Sequence, residues 1–328
     1  MKSTWTGLIA VLIVTLAVCP LNLQQISHHP IFNGEDAYTY LVEQCDFGPR
    51  PPGSDNLSLC RSMIADKLES FGWNVSFQNF TYKEVQCVNI IGQWNSQSNS
   101  PIVLGAHYDT RPPGASDPGS GVGANDGASG VAVLLELADI LPEESRSLVE
   151  IVLFDAEDSG GISGWDWIQG STYYVSQLNN ERRNSINAMV LLDMVGDINL
   201  QLPRERSSTA SLQSHIWMIA EELGYNATFI DSYRGPIIDD HRPFLDAGIP
   251  AVDLIQVPFP PYWHTLEDTP DKCSAESLEI VGDVLEVFVV EQASELSVFP
   301  LDSPILLVVA VIVCVVLVIL IAYAKLKR

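Results

Sequence analysis

Four short apolar runs, residues 102–104, Val149–Phe154, 188–192 and Ala251–Ile255, alternate with stretches of helical spacing, and this alternation restricts the fold most. The runs are rich in branched side chains and read as buried strands. Helical spacing covers 131–141, 170–178, 211–223 and, as a long amphipathic segment, 275–290. Upstream, 57–71 is also helical and stops at Gly72. Two further strands follow, 73–82 and 87–94, split by the polar pair Lys83-Glu84. No internal repeat interrupts the order. Strands alternating with helices predict an α/β domain: a mixed, largely parallel central sheet with helices on both faces. Ligands of such sheets collect beyond the carboxyl ends of the strands.

The residues at those ends are unusually polar. They are His107 and Asp109; Asp126 in the glycine-rich stretch 121–130; Asp155, Glu157 and Asp158; Asp193 and Asp197; Asp239, Asp240 and His241; and Trp263-His264. Taken singly, each has an ordinary explanation. An aspartate after a strand commonly caps a helix, His107 alone suits a loop, and Trp263 alone suits a core. Together they would place several carboxylates in one cleft, where like charges repel strongly. A bound cation removes that cost. Histidines with carboxylates and no thiolate suit a catalytic Zn²⁺.

In chain order, Gly105-Ala106-His107-Tyr108-Asp109, Gly123-Ala124-Asn125-Asp126-Gly127-Ala128-Ser129-Gly130, Phe154-Asp155-Ala156-Glu157-Asp158, Leu191-Leu192-Asp193-Met194-Val195-Gly196 and Trp263-His264-Thr265 resemble the motifs of the M28 metallopeptidase family. The likeness spans roughly residues 40 to 293. Within that family Asp239-Asp240-His241-Arg242-Pro243-Phe244-Leu245, Gly248-Ile249-Pro250 and Pro258-Phe259-Pro260 are most similar to glutaminyl-peptide cyclotransferases, which close an N-terminal glutamine to pyroglutamate and release ammonia. The resemblance implies a zinc held by Asp126, Asp158 and His264. Glu157 would be the general acid/base, Asp239 and Asp193 would complete the catalytic set, and Trp263 and Phe259 would wall the pocket. Asp158 stands where most relatives carry Glu, Asp253 where cyclotransferases carry His, and Ile238 where they carry a polar residue. The rival within the family is a dinuclear aminopeptidase. In it His107, Asp193 and a bridging Asp126 would hold a second zinc, with Asp109 orienting His107. A domain that only binds a partner would be expected to have lost one of these groups, and none is missing. Peptide or protein N-termini are the expected substrates.

The ends of the chain predict its location. An apolar run from Gly7 to Val18 after Lys2 reads as a signal peptide or signal anchor within 1–24. Residues 305–324 carry no charge and, as a helix of about 30 Å, match a bilayer core. Lys325, Lys327 and Arg328 follow, which marks the cytoplasmic side. The expected organisation is therefore an enzyme domain at 25–298, a juxtamembrane linker at 299–304, a transmembrane helix at 305–324 and a basic tail at 325–328. Such a chain spans the membrane once, or twice if the signal is retained, with its catalytic domain extracytoplasmic and the lipid bilayer as partner. The formal net charge of −24 argues against nucleic acid. Cys45, Cys60, Cys87 and Cys273 permit three disulfide pairings, between which sequence does not choose. Asn56, Asn74, Asn79 and Asn226 open glycosylation triplets compatible with export.

Overall fold

The computed structural model describes residues 28–94 and 101–298. The signal segment, the linker, the 305–324 run and the basic tail lie outside these residues. Among the described residues, no helix is long and apolar enough to cross a membrane.

Six strands form the central sheet: β1 (Asn74–Tyr82), β2 (Val85–Gln93), β3 (Ile102–His107), β4 (Val149–Phe154), β5 (Ala188–Asp193) and β8 (Ala251–Ile255), in the spatial order β1-β2-β4-β3-β5-β8. β4, β3, β5 and β8 run parallel, while β1 and β2 are antiparallel additions at one edge. The sheet is thus mixed and largely parallel, as predicted. Lys83 and Glu84 both adopt positive φ, 45° and 67°, and close a two-residue hairpin whose twist suits the flanking strands. Two short strands, β6 (Leu202–Glu205) and β7 (Phe229–Arg234), form a separate parallel pair that the sequence pattern did not reveal.

The four parallel strands are buried on both faces, and their side chains alternate between two cores. Leu104, Ile151, Val190 and Val252 point into the larger one; Val103, Val152, Leu191 and Ala251 point into the smaller. The larger core is covered by helices α1 (Gly34–Cys45), α2 (Asp55–Ser70), α3 (Ser129–Ile140), α5 (Ala210–Glu222) and α7 (Ala275–Val298). The smaller is covered by α4 (Gln169–Gln177) and α6 (Arg242–Asp246). Helix α1, absent from the sequence reading, starts where the Asn33 side chain accepts from the backbone N–H of Glu35 and Asp36, with both acids in the first turn.

His107 pairs with Phe154, and Asp193 with Ile255, so the carboxyl ends of the parallel strands lie along one rim. Arg50, fully buried, ties the loops at this rim together. Its guanidinium donates to the carbonyls of Gln44, Tyr108, Val122 and Gly123. The four cysteines are buried thiols, none bridged to another. Burial pushes the Cys60 thiol up to about 11, which keeps it protonated and inert.

Candidate metal centre and pocket

Each candidate ligand is delivered by the end of a strand or by a constrained loop. His107 is the last residue of β3, and Asp193 the last of β5. Asp126 lies in a distorted turn, Ala124–Ala128, just ahead of α3. Gly127 follows it at φ 110°, and a Cβ there would sit 2.5 Å from the Asp109 carbonyl and 3.2 Å from the His107 ring. Only glycine lets this turn approach β3 so closely. Ala156, Met194 and His264 also hold positive φ, beside or at Glu157, Asp193 and the candidate ligand itself. Left-handed backbone at non-glycine residues is costly and tends to gather at functional sites.

The Asp126 carboxylate bridges two histidines. Its Oδ1 lies 3.2 Å from His107 Nε2, and its Oδ2 lies 3.5 Å from His264 Nε2. Asp158 Oδ1 stands 3.0 Å from the same His264 nitrogen, and Asp193 Oδ1 is 3.2 Å from His107 Nε2. Two trios result, Asp126–Asp158–His264 and His107–Asp126–Asp193, each with ligand atoms within 4.8 Å of one another. The donors are oxygen and imidazole nitrogen without sulfur, and Asp126 Oδ2 and Asp158 Oδ1 are buried without hydrogen-bond partners. Both features fit a zinc ion at the first trio. Asp109 supports both trios. It lies 3.5 Å from His107 Nδ1, and its two oxygens accept from the backbone N–H of Glu157 and Asp158.

The charges are strongly perturbed. Burial, then the charge of Asp126, lifts Asp158 to about 7. Burial also pushes Glu157 well above the carboxylate range, with Asp158, Asp240 and Asp193 adding to it against the pull of His107. Asp239 and Asp253 rise for the same first reason, each burdened by neighbouring acids. Burial opposes ionisation of Asp126, yet hydrogen bonding and charge from His107 hold it below its ordinary value. Buried carboxyls in this number keep protons or take a cation.

A pocket of about 330 Å³ opens onto Asp126, Glu157, Asp158, Asp193, Asp239 and His264, with Phe259 and Trp263 among its walls. The residues named from sequence thus come together. Asp155 and Asp197, also strand-end acids, do not belong to the pocket lining. Asp155 accepts from the backbone N–H of Val88, and Asp197 from the Tyr262 hydroxyl. Asp239, His241 and Asp253 form a third buried group. There His241 Nε2 faces Ser207 Oγ at 3.1 Å, and Nδ1 is 3.5 Å from Asp253 Oδ2.

Several contributors escaped the sequence reading. Trp167 lines the pocket and stacks on the His264 ring at 6.0 Å, while Trp263 stacks on it more closely, at 3.7 Å. Asp268 accepts from the backbone N–H of Asn125 and Asp126 and so anchors the bridging ligand. Ser120 Oγ donates to Asp158, and Arg111 Nη1 lies 3.6 Å from it. For Asp268, proximity to His264 in the chain was the available signal. For Trp167 there was none.

Fold and site define an enzyme of α/β architecture with a candidate metal centre at the rim of its sheet. The chain belongs to peptidase family M28, whose family model matches residues 89–289. Over 301 residues it is 29% identical to a glutaminyl-peptide cyclotransferase of Gloydius blomhoffii, covering 78% of this chain and 79% of the relative. Among solved structures it is similar to Bacteroides thetaiotaomicron glutaminyl cyclase bound to N-acetylhistamine, with TM-score 0.72 and 33% identity, covering 80% of this chain and 99% of the other. It is also similar to a Zn-dependent exopeptidase from Parabacteroides distasonis, with TM-score 0.72 and 29% identity over the same shares.

Proposed function

We propose that this protein is a zinc-dependent glutaminyl-peptide cyclotransferase, which converts the N-terminal glutamine of peptides to pyroglutamate. The observation that carries the reading is a small pocket that sets Glu157 beside the Asp126–Asp158–His264 trio, with Asp239, Phe259 and Trp263 on its other sides. About 330 Å³ suits one residue and its backbone better than a length of peptide. One zinc at that trio, when bound, would polarise the γ-carbonyl of the glutamine.

The protein's own groups do the rest. Phe259 and Trp263 hold the side chain against the acids and exclude water. The α-amine nitrogen bonds to the γ-carbonyl carbon, and the bond from that carbon to the amide nitrogen breaks. Glu157 takes the proton from the amine and passes it to the departing nitrogen, which leaves as ammonia. A cation beside Glu157 favours its ionised form, the one able to accept that proton. Asp239 orients the leaving amide, and Asp193 holds His107 in place.

The aminopeptidase reading rests on the second trio, His107–Asp126–Asp193, which suits another zinc. In that case Glu157 would activate water and a free amino acid would be released. Glutaminyl peptides and leucine anilides offered to one purified sample, with its zinc measured, separate the two. Ammonia with one zinc per chain supports cyclisation; leucine with two supports hydrolysis.

We place the enzyme on the outer face of a membrane, held by 305–324, because that run is uncharged and basic residues follow it. Removing residues 305–328 should release the protein into the soluble fraction after carbonate extraction. Release of the full-length chain by the same extraction would reject the anchor.

A further inference from the structure

Beyond the trio, the pocket mouth has an apolar side that the reaction does not use. Pro236, Ile237 and Ile238 line it, on the short segment between β7 and Asp239. Ile238 is 69% exposed, the highest value among the large apolar side chains left open to water in the described residues. A loose loop does not explain this. The Ile237 N–H donates to Glu205 Oε1 at 3.0 Å, and Glu205 is 1% exposed. The same carboxylate also accepts from the backbone N–H of Ser207 and Ser208. Asp239 and Asp240 follow directly and are buried. The backbone is therefore pinned on both sides of an isoleucine held out over the cavity.

We propose that this ledge receives the side chain of the second residue of the substrate peptide and makes Ile238 a determinant of specificity for apolar residues there. The inference rests on the reading of the pocket as a site for N-terminal residues. If the first residue fills the cavity, the chain must leave through the mouth, where the second side chain meets the ledge. Covering an exposed branched side chain removes apolar surface from water, so an apolar second residue gains affinity. An acidic one gains nothing from the ledge and meets the field of a pocket lined by five carboxyl side chains, in a chain of net charge −24. A glycine offers no surface to cover.

The test uses the full chain with zinc and three peptides that differ only after the N-terminal glutamine: Gln-Leu, Gln-Gly and Gln-Glu. Ammonia release is measured for the wild type and for Ile238→Gln. The expected kcat/KM is about tenfold higher for the leucine peptide than for the glycine peptide, the factor that burial of roughly half such a side chain supplies. The glutamate peptide should fall below both. In Ile238→Gln the leucine advantage should shrink to less than about twofold, with KM carrying the change, as expected for contacts equal in ground and transition states. An unchanged melting temperature excludes misfolding as the cause, and an exposed site tolerates the substitution. Equal kcat/KM for all three peptides in the wild type, or an undiminished leucine preference in the variant, overturns the ledge while cyclisation stands. No ammonia from any peptide overturns the cyclisation reading and the ledge with it.

Discussion

At the scale of single residues, carboxyls take different roles according to what surrounds them. Glu157 is placed to move a proton and belongs to neither ligand trio. Glu157→Gln should therefore lower turnover by at least about a hundredfold while zinc content stays level, as read by ammonia release and elemental analysis. His264→Ala removes a nitrogen that faces both Asp126 and Asp158, and the purified variant should lose its zinc. Full zinc occupancy would exclude His264 as a ligand. Asp268 touches no ligand atom but holds the backbone on which Asp126 stands. Asp268→Asn should weaken zinc affinity by about 10- to 100-fold, the range typical of groups that orient ligands, measurable by competition with a chelator.

The element that matters most for the pocket is a helix of only five residues. α6 directly follows the Asp239-Asp240-His241 segment, and its fully buried Phe244 is wedged against Phe154 and Tyr174, with ring centres 6.2 and 5.7 Å away. That aromatic cluster ties a five-residue helix, too short to be stable alone, to β4 and α4. Phe244→Ala should cost about 3–5 kcal/mol in denaturant unfolding. It should also raise KM, because the wall of the pocket loses its anchor. A change in stability with no change in KM would detach α6 from the site.

For the whole molecule, the cost of gathering acids sets the pH response. Burial lifts Asp155 to about 8 and Asp158, Asp240 and Asp268 to about 7, against an ordinary aspartate value of 3.8. A carboxyl raised on folding binds more protons in the folded state than in the unfolded one. Its contribution is thus fully present below 3.8 and is lost as pH rises through the folded value. The melting temperature of zinc-free protein should accordingly fall between about pH 4 and pH 8. Zinc, by binding the folded state alone, should raise it, adding about 4 kcal/mol at a free concentration a thousand times its dissociation constant. A melting temperature indifferent to zinc at neutral pH would contradict the candidate centre.

Much of this was legible along the chain. Strand and helix patterns are local, so the parallel core, its two-sided burial and the order of ligand-bearing strand ends followed from periodicity, and the motif set carried the family. Boundaries moved: the helix expected at 275–290 runs on to Val298 as α7, and the strand expected at 102–104 extends to His107 as β3. Other features had no local signature. Trp167 reaches His264, Arg50 bonds to the carbonyls of Tyr108, Val122 and Gly123, and Glu205 fixes Ile237 from 32 positions away, all through contacts between distant segments. The chain by itself determined which chemical groups would be present at the rim. Only tertiary structure decided how close they stand and which are shut off from water, because proximity and desolvation belong to the folded surface and not to any stretch of the chain.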